Sequence, residues 1–216
     1  MAAAEQIWTI VVGGGSGRRF GTSKQYETLG DMRVIDRSIA TARQVSDGVV
    51  VVVPPQDADR EGAVAGGATR SESVRAGLAA VPSDATIICV HDAARPLASV
   101  DLYRRAIAAV SAGADAAIPA LTVSDTIKVV ADGIVVSTPD RASLVAVQTP
   151  QAFRAGALRD AHVHGGDATD DASLVEDRGG LVVVVDGETT NRKITVPDDL
   201  DWARSLIARQ FEEDRS

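Results

Sequence analysis

Short aliphatic runs alternate with longer amphipathic stretches along this chain, and this alternation restricts its possible folds more than any other feature. The candidate strands are Ile7–Val12, Val49–Val53, Thr86–Val90, Ala116–Pro119 and Leu181–Val185. Each run is apolar on both faces, which is typical of parallel strands that are covered by helices on both sides. Because strands that alternate with helices build an open α/β sheet, we predict an α/β fold with an open, mostly parallel sheet.

Three helices are predicted from residues that cap or start helices. They run from Thr69 towards Ala80, from Val100 to Ala112 after a cap at Ser99, and from Pro197 through about Phe211. Thr69 and Glu72 form a capping-box pattern, in which each side chain bonds to a backbone N–H at the other position. Ser99 is a favoured N-cap, and Gly113 is a favoured helix end. Pro197 suits the first turn, where its missing N–H leaves no helical hydrogen bond unmade.

One segment departs from the α/β pattern and predicts a β-hairpin. Asp125–Val130 and Ile134–Thr138 flank Asp132-Gly133, a residue pair that is strongly favoured in two-residue hairpin turns. A hairpin inserted into an α/β sheet is either an edge ribbon or an arm that reaches a partner. We therefore expect residues 1–216 to form one domain with an arm at about 124–141.

Composition and charge exclude several classes of protein. The 216 residues carry a net charge of −8, so attraction to nucleic acid or to an anionic membrane surface is not expected. The single cysteine, Cys89, excludes an internal disulfide and a cysteine-based zinc site, and a position between Ile88 and Val90 suits the core. The N-terminus lacks the pattern of a signal peptide, and the longest aliphatic run is far shorter than a membrane span. We expect a soluble cytoplasmic protein.

A glycine-rich loop, Gly13–Gly17, directly follows the first predicted strand, and Arg18, Arg19 and Lys24 come soon after it. Its spacing fits neither a dinucleotide-binding fingerprint nor a Walker A loop. Backbone N–H groups and cations in such a loop can bind phosphate, although a glycine-rich turn with solvated charges is the plainer alternative. Because ligands of open α/β sheets bind at the carboxyl ends of strands, the position of the loop favours phosphate binding.

Three further segments carry polar residues at positions that suit a site. His91–Pro96 follows the third predicted strand, where Asp92 would hold a hydroxyl or a metal ion and Arg95 a phosphate, unless the two pair with each other. His91 is given no role. The pair Gly66-Gly67 leads into a helix N-terminus, which suits anions or polar base edges. Lys193 precedes the last predicted helix, where a cation is ordinarily a surface charge without a functional role.

These segments, in this order, resemble the 2-C-methyl-D-erythritol 4-phosphate cytidylyltransferase family of the non-mevalonate isoprenoid pathway. The resemblance runs from Ile10 to about Leu206. The segments that carry it are GGGSGRR (13–19), KQY (24–26), GGATRSES (66–73), HDAARP (91–96), SDTIK (124–128), TPDR (138–141), QTPQAF (148–153), TDDAS (169–173) and RKITVPDDL (192–200). No single segment is decisive, but so many in order are highly specific. The resemblance implies an α/β fold with a Rossmann-like nucleotidyltransferase sheet and an inserted β-hairpin arm.

The resemblance also implies roles for individual residues. The residues that would hold CTP are Gly13, Gly14, Gly15, Gly17, Gly67, Ser73, Asp92 and Ala93. The cations around the reacting α-phosphate would be Arg19, Lys24 and Lys193. The residues that would bind the sugar-alcohol phosphate are Asp92, Arg95, Thr126, Arg141, Thr149 and Thr169, with Thr126 and Arg141 reaching the site of the other subunit.

The same resemblance implies a homodimer formed through the arm and a requirement for Mg²⁺. The ion would be held mainly by the CTP phosphates, with Asp92 as an available ligand, and no dedicated protein metal site is expected. The nucleophile would be a phosphate oxygen, so no general base is needed and catalysis would come from positioning and from cations.

Alternatives to this assignment remain. Ribitol-5-phosphate cytidylyltransferase shares the scaffold and the reaction, although TDDAS at 169–173 favours the methylerythritol enzyme. A nucleotide-binding relative without catalysis would have no need for all of the cations named above, and a dinucleotide oxidoreductase would need the missing fingerprint glycine. The chain ends soon after its last predicted helix, so we expect no fused second enzyme.

Overall fold

The computed structural model describes residues 4–14, 23–164 and 166–213, with side chains described through 209. Its strands are β1 Ile7–Val12, β2 Thr28–Leu29, β3 Met32–Arg33, β4 Gly48–Val53, β5 Val64–Ala65, β6 Ile87–Asp92, β7 Ala116–Thr122, β8 Val129–Ala131, β9 Ile134–Ser137, β10 Val145–Val147, β11 Gln151–Arg154 and β12 Val182–Asp186. Its α-helices are α1 Val34–Ala42, α2 Ala58–Glu61, α3 Arg70–Ala80, α4 Val100–Ser111, α5 Ala155–His164, α6 Asp171–Asp177 and α7 Pro197–Glu213.

The central sheet has eight strands in the described part of the chain, and most of them run in the same direction. β5, β4, β1 and β6 lie side by side and are parallel. β11 lies between β6 and β7 and is antiparallel to both, so β7 runs in the same direction as β6. β12 pairs in parallel with β7, and β10 pairs antiparallel with the end of β7. The predicted open, mostly parallel α/β sheet is confirmed.

Helices cover both faces of this sheet, as the two-sided apolar strands predicted. Ile10 of β1 packs on one face with residues of α3, α5 and α6, and its neighbour Val11 packs on the other face with residues of α1 and α4. Cys89 is buried in the second of these clusters, as expected. A third cluster joins α7 to β2 and to Ile194. Ile194, the residue after Lys193, is therefore anchored against α7 and β2.

The helix caps predicted at Thr69 and Ser99 are confirmed. The Thr69 side chain accepts a hydrogen bond from the Glu72 N–H, and the reciprocal bond completes the capping box of α3. The Ser99 hydroxyl accepts a bond from the Leu102 N–H at the start of α4, and Gly113 follows its end with φ +120°. The helices α1, α2, α5 and α6 have weaker local signals and were not predicted.

Two strand boundaries correct the sequence-based expectation. The third predicted strand extends through His91 and Asp92, because these residues continue the pairing with Val11 and Val12 of β1. They therefore end a strand and do not lie in a turn. β7 also continues to Thr122, beyond Pro119, because both β10 and β12 pair with it there.

The hairpin is confirmed as a separate two-stranded sheet formed by β8 and β9. Asp132 and Gly133 have φ of 48° and 78°, the left-handed pair that a type I′ turn requires. The first strand starts only at Val129, so residues 125–128 lie outside the ribbon. Every residue from 124 to 138 is exposed.

No described helix is long and apolar enough to cross a lipid bilayer.

Candidate active site

A cavity of about 310 Å³ opens at the carboxyl ends of β1 and β6. Its lining residues are Val12, Gly13, Gly14, Lys24, Gln25, Ala68, Thr69, Arg70, Ser73, Asp92, Ala93, Ala94 and Lys193. Three cations and one carboxylate face the same space among these residues. The cavity thus has the position that ligands take in open α/β sheets and a charge that suits an anion.

Asp92 is the last residue of β6 and lies at the centre of the charged groups. One carboxylate oxygen, Oδ2, accepts a bond from Lys193 Nζ at 2.6 Å, and the other, Oδ1, accepts from Arg70 Nε at 3.3 Å. Burial alone would raise the pKa of Asp92, but the charges of Arg70, Lys193 and Arg95 outweigh it and hold the pKa well below its usual value. Asp92 is therefore a carboxylate at neutral pH.

Two lysines reach the cavity from distant parts of the chain. Lys193 lies in the loop before α7, and its half-exposed side chain contacts Asp92. Lys24 starts a short 3₁₀ helix, and its Nζ donates to the backbone carbonyl of Ile194 at 2.6 Å. The Ile194 N–H in turn donates to the Ala94 carbonyl. These bonds bring both predicted lysines to one wall of the cavity.

Glycines let the backbone of the loop and of α3 approach closely. A Cβ at Gly14 would lie 3.2 Å from Ser73 Oγ, and one at Gly67 would collide with Glu72 Cβ at 2.3 Å. Ser73 Oγ accepts from the Gly67 N–H and donates to the Thr69 carbonyl. This arrangement of Gly13, Gly14 and Ser73 along the cavity is compatible with backbone contacts to a nucleotide. Gly15, Gly17 and Arg19, which belong to the same predicted loop, lie outside the described residues.

Behind Asp92, His91 and Thr149 form a buried support. The Asp92 N–H donates to Thr149 Oγ1 at 3.0 Å, and Thr149 Oγ1 lies 3.2 Å from His91 Nδ1. His91 Nε2 lies 3.2 Å from the Arg95 carbonyl, and burial lowers the His91 pKa to about 4. His91 is therefore a neutral, hydrogen-bonded residue, which agrees with its having been given no role.

Arg95 and Ala93 occupy different positions with respect to the cavity. Ala93 lines it. The Arg95 guanidinium instead donates to the backbone carbonyls of Asn191 at 2.8 Å and of Val147 at 3.3 Å. It does not form the alternative pair with Asp92, and in this conformation it ties the Lys193 loop to β10.

Three predicted substrate residues lie away from this cavity. Thr126 and Arg141 are exposed beside the hairpin, where Arg141 Nη1 donates to the Ser124 carbonyl at 2.8 Å. Thr169 is exposed in the loop before α6, next to Asp167 and Ala168, which contact the start of α3. Within the described parts of one chain, these three residues are not brought together with Asp92.

Two charged residues of the site were missed from the sequence. Arg70, the first residue of α3, lines the cavity and also donates from Nη1 to Asp171 Oδ2 at 2.6 Å. Asp171 is fully buried, and its Oδ1 lies 2.9 Å from His162 Nε2. The segments GGATRSES and TDDAS contain Arg70 and Asp171, but only the tertiary structure shows that they meet.

The arrangement suits phosphate chemistry more than acid–base or metal-centred chemistry. Lys24, Arg70 and Lys193 can neutralise phosphate groups, and His91, the histidine next to Asp92 in the chain, is buried. No group of three or more His, Cys, Asp or Glu side chains that could hold a metal ion occurs in the described ranges. One carboxylate still fits Mg²⁺, which is commonly held by one or two carboxylates together with substrate phosphates.

Comparisons with known proteins agree with this chemistry. A family model described as "IspD: 2-C-methyl-D-erythritol 4-phosphate cytidylyltransferase" matches residues 7–209. The chain is 41% identical over 226 residues to the 2-C-methyl-D-erythritol 4-phosphate cytidylyltransferase of Syntrophotalea carbinolica, covering 93% of this chain and 96% of that protein. The crystal structure of 4-diphosphocytidyl-2C-methyl-D-erythritol synthase from Anaerococcus prevotii matches with a TM-score of 0.82 at 29% identity, covering 94% of this chain and 99% of that one.

Other relatives are longer proteins. The chain is 45% identical over 177 residues to the "Bifunctional enzyme IspD/IspF" of Oleidesulfovibrio alaskensis, covering 80% of this chain and 43% of that protein. It covers 58% of the bifunctional enzyme of Anaeromyxobacter dehalogenans. The chain therefore spans about half the length of the bifunctional relatives it matches.

Proposed function

The chain belongs to the 2-C-methyl-D-erythritol 4-phosphate cytidylyltransferase family, and on this premise we propose that it transfers CMP from CTP to 2-C-methyl-D-erythritol 4-phosphate. Pyrophosphate is the second product, and the reaction belongs to non-mevalonate isoprenoid biosynthesis. The observation that carries the proposal is the convergence of Lys24, Arg70 and Lys193 with Asp92 in one cavity at the carboxyl ends of β1 and β6.

The proposed roles of the cations follow from the charges that must meet. A phosphate oxygen of the sugar-alcohol phosphate attacks the α-phosphorus of CTP, so two anions approach each other and negative charge grows on the transferred group. Lys193, Lys24 and Arg19 neutralise this charge, and the fixed position of the lysines reduces the reorganisation that the reaction requires. The nucleophile is already ionised, so a general base is not needed.

We propose that CTP lies against the glycine-rich loop and the start of α3. Gly13, Gly14, Gly15 and Gly17 offer backbone groups to the nucleotide, and Gly67, Ser73 and Ala93 complete its surroundings. Asp92 would hold a divalent cation, Mg²⁺, together with the CTP phosphates. When bound, the ion would supply positive charge that polarises the phosphates and stabilises the leaving pyrophosphate.

The sugar-alcohol phosphate is proposed to lie on the other side of Asp92. Thr149 supports the Asp92 backbone from that side, and Thr169 lies in the loop next to the start of α3. Arg95 donates to the Asn191 carbonyl and so holds the loop that carries Lys193. If Arg95 also contacts the sugar-alcohol phosphate, binding of that substrate would affect the position of Lys193.

We further propose that two chains form a dimer through the hairpin at about 124–141. Its large aliphatic side chains are exposed, among them Ile134 at 71% and Val136 at 63%. An isolated two-stranded hairpin is marginally stable in water, and the equivalent arm of a second copy would cover these side chains with two-fold symmetry. Thr126 and Arg141 would then reach the sugar-alcohol phosphate bound by the neighbouring subunit.

Residues 1–216 act as one nucleotidyltransferase domain, and the place of action is the cytoplasm. The buried, unpaired Cys89 is in keeping with a reducing compartment.

A coupled assay of pyrophosphate release tests the proposed function. Purified protein, CTP and Mg²⁺ are incubated with either 2-C-methyl-D-erythritol 4-phosphate or ribitol 5-phosphate. Release with the methylerythritol substrate is the expected result. Faster turnover with ribitol 5-phosphate would reject the substrate but keep the reaction class, and CTP binding without release from either would indicate a nucleotide-binding protein.

A further inference from the structure

A chain of alternating charges runs from the cavity into the interior of the protein. Lys193 contacts Asp92, Asp92 contacts Arg70, and Arg70 contacts Asp171, which in turn lies against His162. Asp171 and the His162 side chain are buried, at 0% and 2% exposure. A buried carboxylate is costly unless it is paired, and the contacts with Arg70 and His162 offset that cost for Asp171.

The two bonds that Arg70 makes to carboxylates differ in length. Arg70 Nη1 lies 2.6 Å from Asp171 Oδ2, whereas Arg70 Nε lies 3.3 Å from Asp92 Oδ1. The shorter contact is in the range of strong charge-assisted hydrogen bonds, and the longer one is weak. The position of Arg70 is therefore set mainly by Asp171, although Asp92 is the carboxylate in the cavity.

This asymmetry affects Lys193, because both cations share Asp92. Lys193 Nζ lies 2.6 Å from Oδ2 of Asp92, and Arg70 takes only the other oxygen. Without Asp171, the Arg70 guanidinium would have one carboxylate left and would favour a two-pronged pair with it. Such a pair would place a guanidinium N–H on Oδ2, the oxygen that Lys193 uses, and would compete with Lys193 for it.

His162 completes the restraint on Arg70. Its Nε2 lies 2.9 Å from Asp171 Oδ1, so each oxygen of Asp171 has one partner and the carboxylate is held in orientation. The other ring nitrogen of His162, Nδ1, is buried without a partner among the described residues. Within the described residues, the side-chain hydrogen bond of His162 is therefore the one to Asp171.

We propose that Asp171, oriented by His162, is a positioning residue that restrains Arg70 and so keeps Asp92 Oδ2 available to Lys193. The inference rests on the proposed function, because it assigns Asp171 to the placement of a catalytic cation. Neither Asp171 nor His162 contacts substrate in this role. Their effect on the reaction passes through Arg70, Asp92 and Lys193 in that order.

Asp171→Asn is the first test, because it keeps the size of the side chain and removes its charge. We expect the turnover number to fall by about 10- to 100-fold, the usual consequence of losing a residue that orients a reacting group. The KM for CTP should change little, because Lys193 acts on charge that develops in the transition state. An unchanged turnover number, or a raised KM with normal turnover, would overturn the inference.

Epistasis with Lys193 separates positioning from general loss of stability. If Asp171 acts through Lys193, then Asp171→Asn should have no further effect on turnover in a Lys193→Ala background. The matched control is Val175→Ala on the same helix α6, where Val175 is buried in the apolar core away from Arg70. It should lower the melting temperature and leave turnover at wild-type level. Multiplicative effects of the Asp171 and Lys193 substitutions would contradict the proposed path.

His162→Gln provides a milder second variant if Asp171→Asn does not fold. An amide nitrogen near the position of Nε2 preserves a donor but loosens the orientation of Asp171, so a smaller fall in turnover is expected. A folded His162→Gln protein with wild-type kinetics would contradict the role of His162. Wild-type protein that releases no pyrophosphate would reject the proposed function, whereas active wild type with an unaffected Asp171→Asn would reject the positioning role alone.

Discussion

At the scale of single residues, the site depends on how a few charges are shared. Asp92 accepts a hydrogen bond from Lys193 on one carboxylate oxygen and from Arg70 on the other. Without these two cations, burial would favour the protonated form of Asp92. Lys193 is the more exposed of the two cations, with 41% of its side chain accessible, so it has room to exchange Asp92 for a phosphate. Its neighbour Arg192 points elsewhere and lies 4.5 Å above the Trp202 ring.

Lys193→Ala should lower turnover by about 10²- to 10³-fold, the usual loss when one partner of transition-state charge is removed. Arg192→Ala is the matched control, because it removes the adjacent cation without touching Asp92, and its turnover should stay near that of the wild type. Steady-state pyrophosphate release measures both. Normal turnover in Lys193→Ala would mean that Lys193 is a surface charge with no role in catalysis. A loss of similar size is expected for Arg19→Ala.

His91 should make stability depend on pH in a defined window. Its pKa is lowered from 6.5 to about 4 by burial, so between these values the unfolded chain binds a proton that the folded chain does not. Stability therefore falls as the pH falls from about 6.5 to 4, by up to roughly 3 kcal/mol from this residue. Chemical unfolding at several pH values should give a smaller decrease for His91→Gln, while Asp92 contributes only at lower pH. Equal slopes for both proteins would contradict this role.

At the scale of elements, the hairpin is the part of the described chain that has the least support from its own subunit. β8 and β9 pair only with each other, and the aliphatic side chains of both strands are exposed. The turn at Asp132-Gly133 imposes the strand pairing locally, because both residues hold the left-handed conformation. Local geometry therefore accounts for the shape of the arm, whereas nothing in the described part of one chain covers its apolar surface.

Ile134→Lys should convert the proposed dimer to a monomer, because a charge would be buried in the interface. The folded core should be unaffected, since the arm forms a sheet of its own. Sedimentation velocity measures the mass, and circular dichroism monitors the fold. Val163→Lys is the control, because Val163 is 76% exposed on α5, away from the arm. A wild-type monomer, or an Ile134→Lys dimer, would contradict the interface.

At the scale of the whole molecule, the proposed dimer would assemble each site from two chains. Lys193 lies with Asp92 in one subunit, whereas Arg141 lies beside the arm and away from that cavity. A site completed by the neighbouring subunit would reconcile these positions. The arm would then serve both for association and for binding of the sugar-alcohol phosphate.

Mixed dimers test this assembly directly. Arg141→Ala and Lys193→Ala subunits should each have little activity alone. If Arg141 acts on the neighbouring subunit, mixing them gives dimers with one doubly defective site and one intact site. Random exchange makes about half of the dimers mixed, so activity should return to about a quarter of the wild-type level. Subunit exchange is verified by mass labelling. If both residues act within one subunit, no activity returns despite exchange.

Local signals in the sequence were sufficient for several elements, for physical reasons that act over a few residues. Two-sided apolar runs predicted the strands β1, β4 and β6, because burial on both faces leaves no polar alternation. Side-chain caps at Thr69 and Ser99 predicted the starts of α3 and α4. The Asp132-Gly133 pair predicted the hairpin. The resemblance of ordered segments led to the family, and the family match agrees.

Tertiary structure alone decided which charges meet. Lys193 and Asp92, and likewise Arg70 and Asp171, are 101 residues apart in the chain, and Lys24 bonds a carbonyl 170 residues away. The insertion of antiparallel β11 between β6 and β7 was equally invisible to local patterns. Apolar periodicity specifies which face of an element is buried, but it does not specify the neighbour that buries it. The identity of that neighbour, and hence the carboxylate that each cation finds, follows only from the order of strands in the folded sheet.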